Sequence, residues 1–138
     1  MSIARYLQSR YRDGGRGPWV YDCWGLVRAG RHELYGLPLL PSYGAIDPDD
    51  KPGLTRAARA VMRAGFRPVA PAPGAIATCW RGRLCLHVGL VIEIEGRLEA
   101  LETNRSTGPR RQRLADFEAN HLQVVYYDDR DLPQHPTG

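Results

Sequence analysis

The hydrophobic rhythm of the chain changes near its middle. Up to about Gly65 the apolar residues recur at three- and four-residue spacing, and beyond Pro71 and Pro73 they gather into short β-branched or aromatic runs. Ile3, Tyr6, Leu7 and Arg10 share a helical face that Ser2 is placed to cap, which predicts a helix through about Tyr11. A glycine-rich loop over residues 13–18 follows. Asp22 is a good N-cap for a second helix that begins at Cys23, carries Trp24, Val27, Leu34 and Tyr35 on its inner face, and stops at Gly36. Prolines 38, 41, 48 and 52 and the acidic trio Asp47, Asp49 and Asp50 predict an extended surface loop over 37–53. Thr55 then caps a third helix that ends at Gly65, with Ala58, Val61 and Met62 inward and Arg56, Arg59 and Arg63 on its wet face.

Strands are predicted over 75–80, 84–93, 97–102 and 122–127, with Glu95 and Gly96 as a tight hairpin turn and a helical turn over 114–120. Helices followed by an antiparallel sheet make an α+β fold. The 138 residues suit a single domain over 1–127, with a loose proline-containing tail over 128–138.

No window approaches the roughly 18 apolar residues that a membrane span needs, so membrane insertion is not expected. Residues 1–10 lack a continuous apolar core, so no secretory signal is expected and synthesis is cytoplasmic. The formal charge is +4, and arginine supplies nearly all of the basic side, since Lys51 is the only lysine. The densest basic cluster, Arg105, Arg110, Arg111 and Arg113, surrounds a turn at Ser106, Thr107, Gly108 and Pro109. Without interleaved aromatics it reads as a solvated loop rather than a nucleic-acid groove.

Chemistry concentrates at two places. Cys23 stands at a helix start, where the positive end of the helix dipole and the free N–H groups stabilise an anion. His87, 64 positions later, opens the apolar run His87, Val88, Gly89, Leu90, Val91, Ile92. A thiol and an imidazole so placed are the two halves of a Cys/His nucleophilic site. Cys79 and Cys85 lack paired metal-ligand spacing, and three cysteines cannot all pair, so reduced thiols with no metal and no cofactor are expected. His32, His121 and His135 read as surface residues.

The stretch from Tyr11 to Val27, with Gly14 and Gly15 and then Asp22, Cys23, Trp24, Gly25, Leu26 and Val27, resembles the NlpC/P60 family of cell-wall cysteine peptidases. Pro73, Gly74, Ala75 and Ile76 are similar to that family's Pro-Gly-Asp-Ile strand opening, and His87 to Val91 to its His-Val-Gly-Ile strand. Trp24 and the segment Pro41, Ser42, Tyr43, Gly44 look most like its phage and prophage tail-assembly branch. The resemblance implies a papain-like fold, N-terminal helices packed on a small antiparallel sheet, with Cys23 as nucleophile, His87 as its base and acid, and Tyr11 beside the nucleophile. It also implies hydrolysis of peptidoglycan stem-peptide amides through an acyl-enzyme, with a phage-type tail and its proteins as partners and means of delivery.

The chain departs from that family at the third catalytic position, commonly a histidine on the next strand. Residues 97–104 hold none. Alternation puts Leu98, Ala100, Glu102 and Asn104 on one face, with Glu102 nearest the expected place and Asn104 the runner-up for orienting His87. Asp22 reads as a cap rather than an acid or base, and Trp24 either packs in the core or lines the cleft. Together with Tyr11 and Asn104 these residues form the expected substrate and oxyanion surroundings. Ala75 and Trp24 replace the family's usual aspartate and serine, so the cleft walls are expected to differ. Two other classes fit the same residues: a structural tail-assembly module that has lost its chemistry, and an acyltransferase or deamidase.

Overall fold

In the computed structural model, which describes residues 2–43, 47 and 49–134, the first helix, α1 (Ile3–Leu7), stops short of the expected Tyr11. Ser2 makes no side-chain cap bond, and Ser9 Oγ instead turns back to donate to Tyr6 O at 2.6 Å. The chain then extends, so that β1 (Arg10–Tyr11) pairs in parallel with β2 (Val20–Tyr21) and Tyr11 lies on a strand. Gly44, Pro48 and His135 lie outside the described residues.

Helix α2 (Cys23–Tyr35) has its expected bounds, because Asp22 caps it and Gly36 ends it in the left-handed conformation at φ 65°. Helix α3 (Lys51–Arg63) begins four residues before the expected Thr55 cap. Asp50 caps it instead, accepting from Gly53 N at 2.9 Å, and Pro52 fits the first turn, where no N–H is needed. Thr55 is buried inside the helix; its hydroxyl donates to Lys51 O and accepts from Cys85 N, each at 2.8 Å, tying α3 to the sheet.

The sheet contains β3 (Arg67–Pro68), β4 (Ile76–Arg81), β5 (Leu84–Ile94), β6 (Arg97–Asn104), β7 (Gly108–Arg113) and β8 (Gln123–Asp128), all antiparallel in the order β3-β8-β4-β5-β6-β7. Helix α4 (Leu114–Ala119) links β7 to β8. Among the described residues the fold is therefore mixed α and β, with four helices and a six-stranded antiparallel sheet. The β5–β6 hairpin closes through Glu95 and Gly96 at φ 50° and 80°, the two-residue turn whose twist matches its strands. Strand β7 corrects the expectation of a solvated arginine loop: Arg110 pairs in register with Glu102 and Arg111 with Leu101, and Arg111 Nη1 reaches Glu99 Oε1 at 2.7 Å.

Period-two alternation splits the apolar residues between two cores. Val88, Leu90, Ile92 and Leu101 join Leu26 and Val27 of α2, Tyr6 of α1 and Val61 of α3. Val91 and Ala100 pack with Ala77, Tyr126 and Phe117 of α4. The tail is not loose from residue 128. Asp128 is fully buried, paired with Arg130 at 2.7 Å and with the buried Arg31 of α2 at 3.3 Å, and Ala70 N donates to Pro133 O at 2.8 Å. The domain therefore runs past 127, because the α2 guanidinium inside the core needs the carboxylates of Asp128 and Asp129.

Candidate active site

Cys23 is the first residue of α2, and the motif around it has a steric reason. Asp22 is buried and its Oδ1 accepts from Gly25 N at 2.7 Å and from Arg16 Nη1 at 2.6 Å. The cap thus fixes the first turn, and Asp22 is a structural anion whose counter-charge is Arg16. Gly25 is required because a Cβ there would lie 2.0 Å from Gly15 O. The glycine loop of residues 13–18 can press against the helix start only where the helix offers no side chain, and Asp22 N closes the contact by donating to Gly15 O at 3.1 Å.

His87 reaches this point through an irregularity in β5. Cys79 pairs with His87, but Trp80 pairs with Cys85, leaving Leu86 as an extra residue that bulges the strand. Beyond the bulge, His87 keeps the parity of Val91 while its ring sits between two partners. Nε2 lies 2.8 Å from Glu102 Oε1, and the ring lines the same cleft as Cys23, whose side chain raises its pKa. With Nε2 committed to Glu102, Nδ1 is the nitrogen left for sulfur.

Glu102 is the most buried member of the group, its side chain only 1 % exposed. Its second oxygen, Oε2, accepts from Arg110 Nε at 3.2 Å and from Gln112 Nε2. Burial would raise its pKa, but the hydrogen bond and charge of His87, followed by Arg110 and Gln112, hold it below the ordinary carboxylate range. Burial would likewise depress His87, yet its hydrogen bonds to Cys23 and Glu102 and their charges lift it to about 9. Glu102, not Asn104, touches His87. Asn104 Oδ1 accepts from Ser106 N, Ser106 Oγ and Thr107 N at 2.8–3.0 Å and so shapes the β6–β7 turn.

Cys23, His87 and Glu102 line an open cleft of about 350 Å³. Tyr11, Asp22, Trp24 and Asn104 line it too, so the structure gathers all seven expected residues around one space. Burial, then the neighbouring Asp13, pushes the Tyr11 phenol pKa up. Asp13 in turn holds Arg105 at 3.0 Å. Trp24 both packs and lines: it is buried, its Nε1 donates to Pro41 O at 3.0 Å, and its ring lies 5.9 Å from Tyr43. Cys79 and Cys85 are free and fully buried, and burial pushes both thiols up, Cys85 to about 12. No group of three or more His, Cys, Asp or Glu able to hold a metal occurs among the described residues.

Several neighbours of the site escape a reading of the sequence. Arg110 and Gln112 share one face of β7 at i and i+2, a signal visible only once that stretch is known to be a strand. Lys51, whose Nζ donates to Leu86 O at 3.1 Å, belongs to a helix whose start is misplaced by the Thr55 cap. His121, expected on the surface, lines the cleft beside His87, because the turn after α4 folds it back against Phe117. No protein-family model matches the chain, and no curated protein matches it significantly.

Proposed function

We propose that the protein is a papain-like cysteine peptidase or amidase of NlpC/P60 type that hydrolyses amide bonds of peptidoglycan stem peptides, working in a phage or prophage tail. The observation that carries this reading is the convergence of Cys23, His87 and Glu102 in an open cleft, with Cys23 at the capped end of a 13-residue helix. The substrate class and the tail setting rest on the resemblance of the two motif blocks. In the proposed reaction His87 takes the Cys23 proton and sulfur attacks the amide carbonyl carbon. Asp22 occupies the N–H of Gly25 and the N–H of Leu26, which leaves the helix-end N–H groups of Cys23 and Trp24 to hold the oxyanion. The His87 imidazolium then protonates the departing amine as the C–N bond breaks, leaving a thioester on Cys23. Water, deprotonated by His87, attacks the thioester; the C–S bond breaks and the acid leaves. Glu102 holds the imidazolium throughout.

Incubation of the purified protein with defined muropeptides, followed by mass spectrometry, tests the reading. New amine and carboxyl termini in one stem peptide are expected, and Cys23→Ala is expected to abolish them while keeping the fold. Cleavage that persists in Cys23→Ala would refute the assignment.

A further inference from the structure

The mechanism leaves one buried polar group unused. His121 Nε2 has no solvent contact and no hydrogen-bond partner among the described residues. Its ring lies nearly parallel to that of His87, 5.9 Å away at 22°, and Phe117 flanks both rings, 4.9 Å from His121 and 6.5 Å from His87. On its far side is a second cavity of about 310 Å³, lined by Cys79, Trp80, Arg81, Asn120 and Leu122. His121 and the bulged Leu86 line both spaces, so they form the wall between that cavity and the catalytic cleft.

We infer that His121 is a positioning residue: its neutral ring packs against His87 and holds that imidazole in the one plane that serves Cys23 and Glu102 together. This rests on the Cys23–His87 reading above. The bond to Glu102 fixes one nitrogen of His87, but a ring held only at its edge still tilts, and a second ring stacked beside it limits that freedom. The contact works while His121 is uncharged, when its π face meets an imidazolium. Protonated, it would set two cationic rings 5.9 Å apart. The charged groups around it are His87 on β5, Glu102 on β6 and Arg110 on β7, with the neutral Phe117 on α4. Burial, then the charge of His87, holds the His121 pKa below its ordinary value, and Arg110 acts in the same sense against Glu102. His121 therefore stays neutral at neutral pH, and its protonation closes the working range on the acid side.

Two variants separate positioning from bulk. His121→Ala removes the ring and joins the two cavities; it is expected to lower kcat by roughly 10- to 100-fold with KM changed less than about twofold, as small misplacements of reacting groups do. His121→Phe keeps the stacked wall without a titrating nitrogen; it is expected to stay within about threefold of wild-type kcat at neutral pH and to retain activity to lower pH. The substrate-independent readout is the rate of Cys23 alkylation by iodoacetamide across pH, in which the His121→Phe acid limb moves down. A wild-type Cys23 no faster than a simple thiol would sink the Cys23–His87 reading and this inference with it. A fast wild-type Cys23 whose rate, kcat and acid limb are unchanged in both variants overturns this inference alone. Equal loss in both variants also overturns it, since the stack would then not be what matters.

Discussion

Replacing Glu102 by glutamine tests the candidate site through hydrogen-bond directions. The carboxylate faces donors on both sides: the His87 imidazolium at Oε1, and Arg110 and Gln112 at Oε2. A glutamine of the same shape can present its oxygen to only one side. Two donors, one of them a guanidinium, outcompete one imidazole N–H that can be surrendered. The amide oxygen therefore turns to Arg110 and Gln112, and the NH2 turns to His87. That forces Nε2 to become an acceptor and leaves the proton on Nδ1, the nitrogen that must take the Cys23 proton. The variant folds but holds its histidine in the wrong tautomer. Losing a hydrogen bond to a buried charge is worth about 1.5–3 kcal/mol, which at 1.36 kcal/mol per decade is roughly 10- to 150-fold in rate. The side chain is 1 % exposed, so solvent screening does not dilute the effect. The expected result of Glu102→Gln is a fall of that size in kcat, with KM little changed. The imidazole ¹⁵N shifts should report a neutral ring with the proton on Nδ1. Wild-type kcat together with a wild-type His87 spectrum would refute the assignment of Glu102.

Gly25→Ala should destabilise the fold, although alanine is the better helix former by about 1 kcal/mol, because its Cβ would meet Gly15 O at 2.0 Å. Overpacking of this kind costs about 1–3 kcal/mol, read as a lower denaturant midpoint; an unchanged or higher midpoint would contradict the steric account. Stability should also fall as pH rises from about 6.5 to about 9, the span between the unfolded and folded values of His87. A raised histidine pKa contributes fully below 6.5 and is lost as pH passes the folded value; 2.5 units at 1.36 kcal/mol each is about 3 kcal/mol. Denaturant titrations at fixed pH steps check this, and in Glu102→Gln the loss should be smaller and complete at lower pH.

Local chemistry was legible from the sequence and distant pairing was not. Asp22 and Cys23 are adjacent, so a cap and a helix start are visible in two consecutive residues, whereas the close approach of Gly15 to Gly25 shows only in the fold. The hairpin at Glu95 and Gly96 is visible for the same reason, since two residues decide its geometry. Alternation puts Glu102 on one face with Leu98, Ala100 and Asn104 because β6 is regular from Arg97 to Asn104, and the family resemblance singles it out on that face. Its neighbours were hidden by β7, where Arg110, Arg111 and Arg113 look like solvated charge until the carboxylates opposite them are known. The tail is hidden similarly: Asp128 is a polar residue far along the chain, and only Arg31, 97 positions earlier, makes it core.

The hidden part is also the part that makes the visible part workable. A carboxylate is costly in this place, because Glu102 is buried on β6 and carries a full charge when it serves an imidazolium. His87 alone does not satisfy it, since only one of its two oxygens faces the ring. Arg110 and Gln112 supply the remaining donors from the edge strand, and Arg110 does so while still partly exposed. Arg110 on β7 is therefore the counter-charge that lets an acidic residue occupy the candidate site. On this account the carboxylate and the edge-strand arginine are one device, and either alone would leave a charge without its partner.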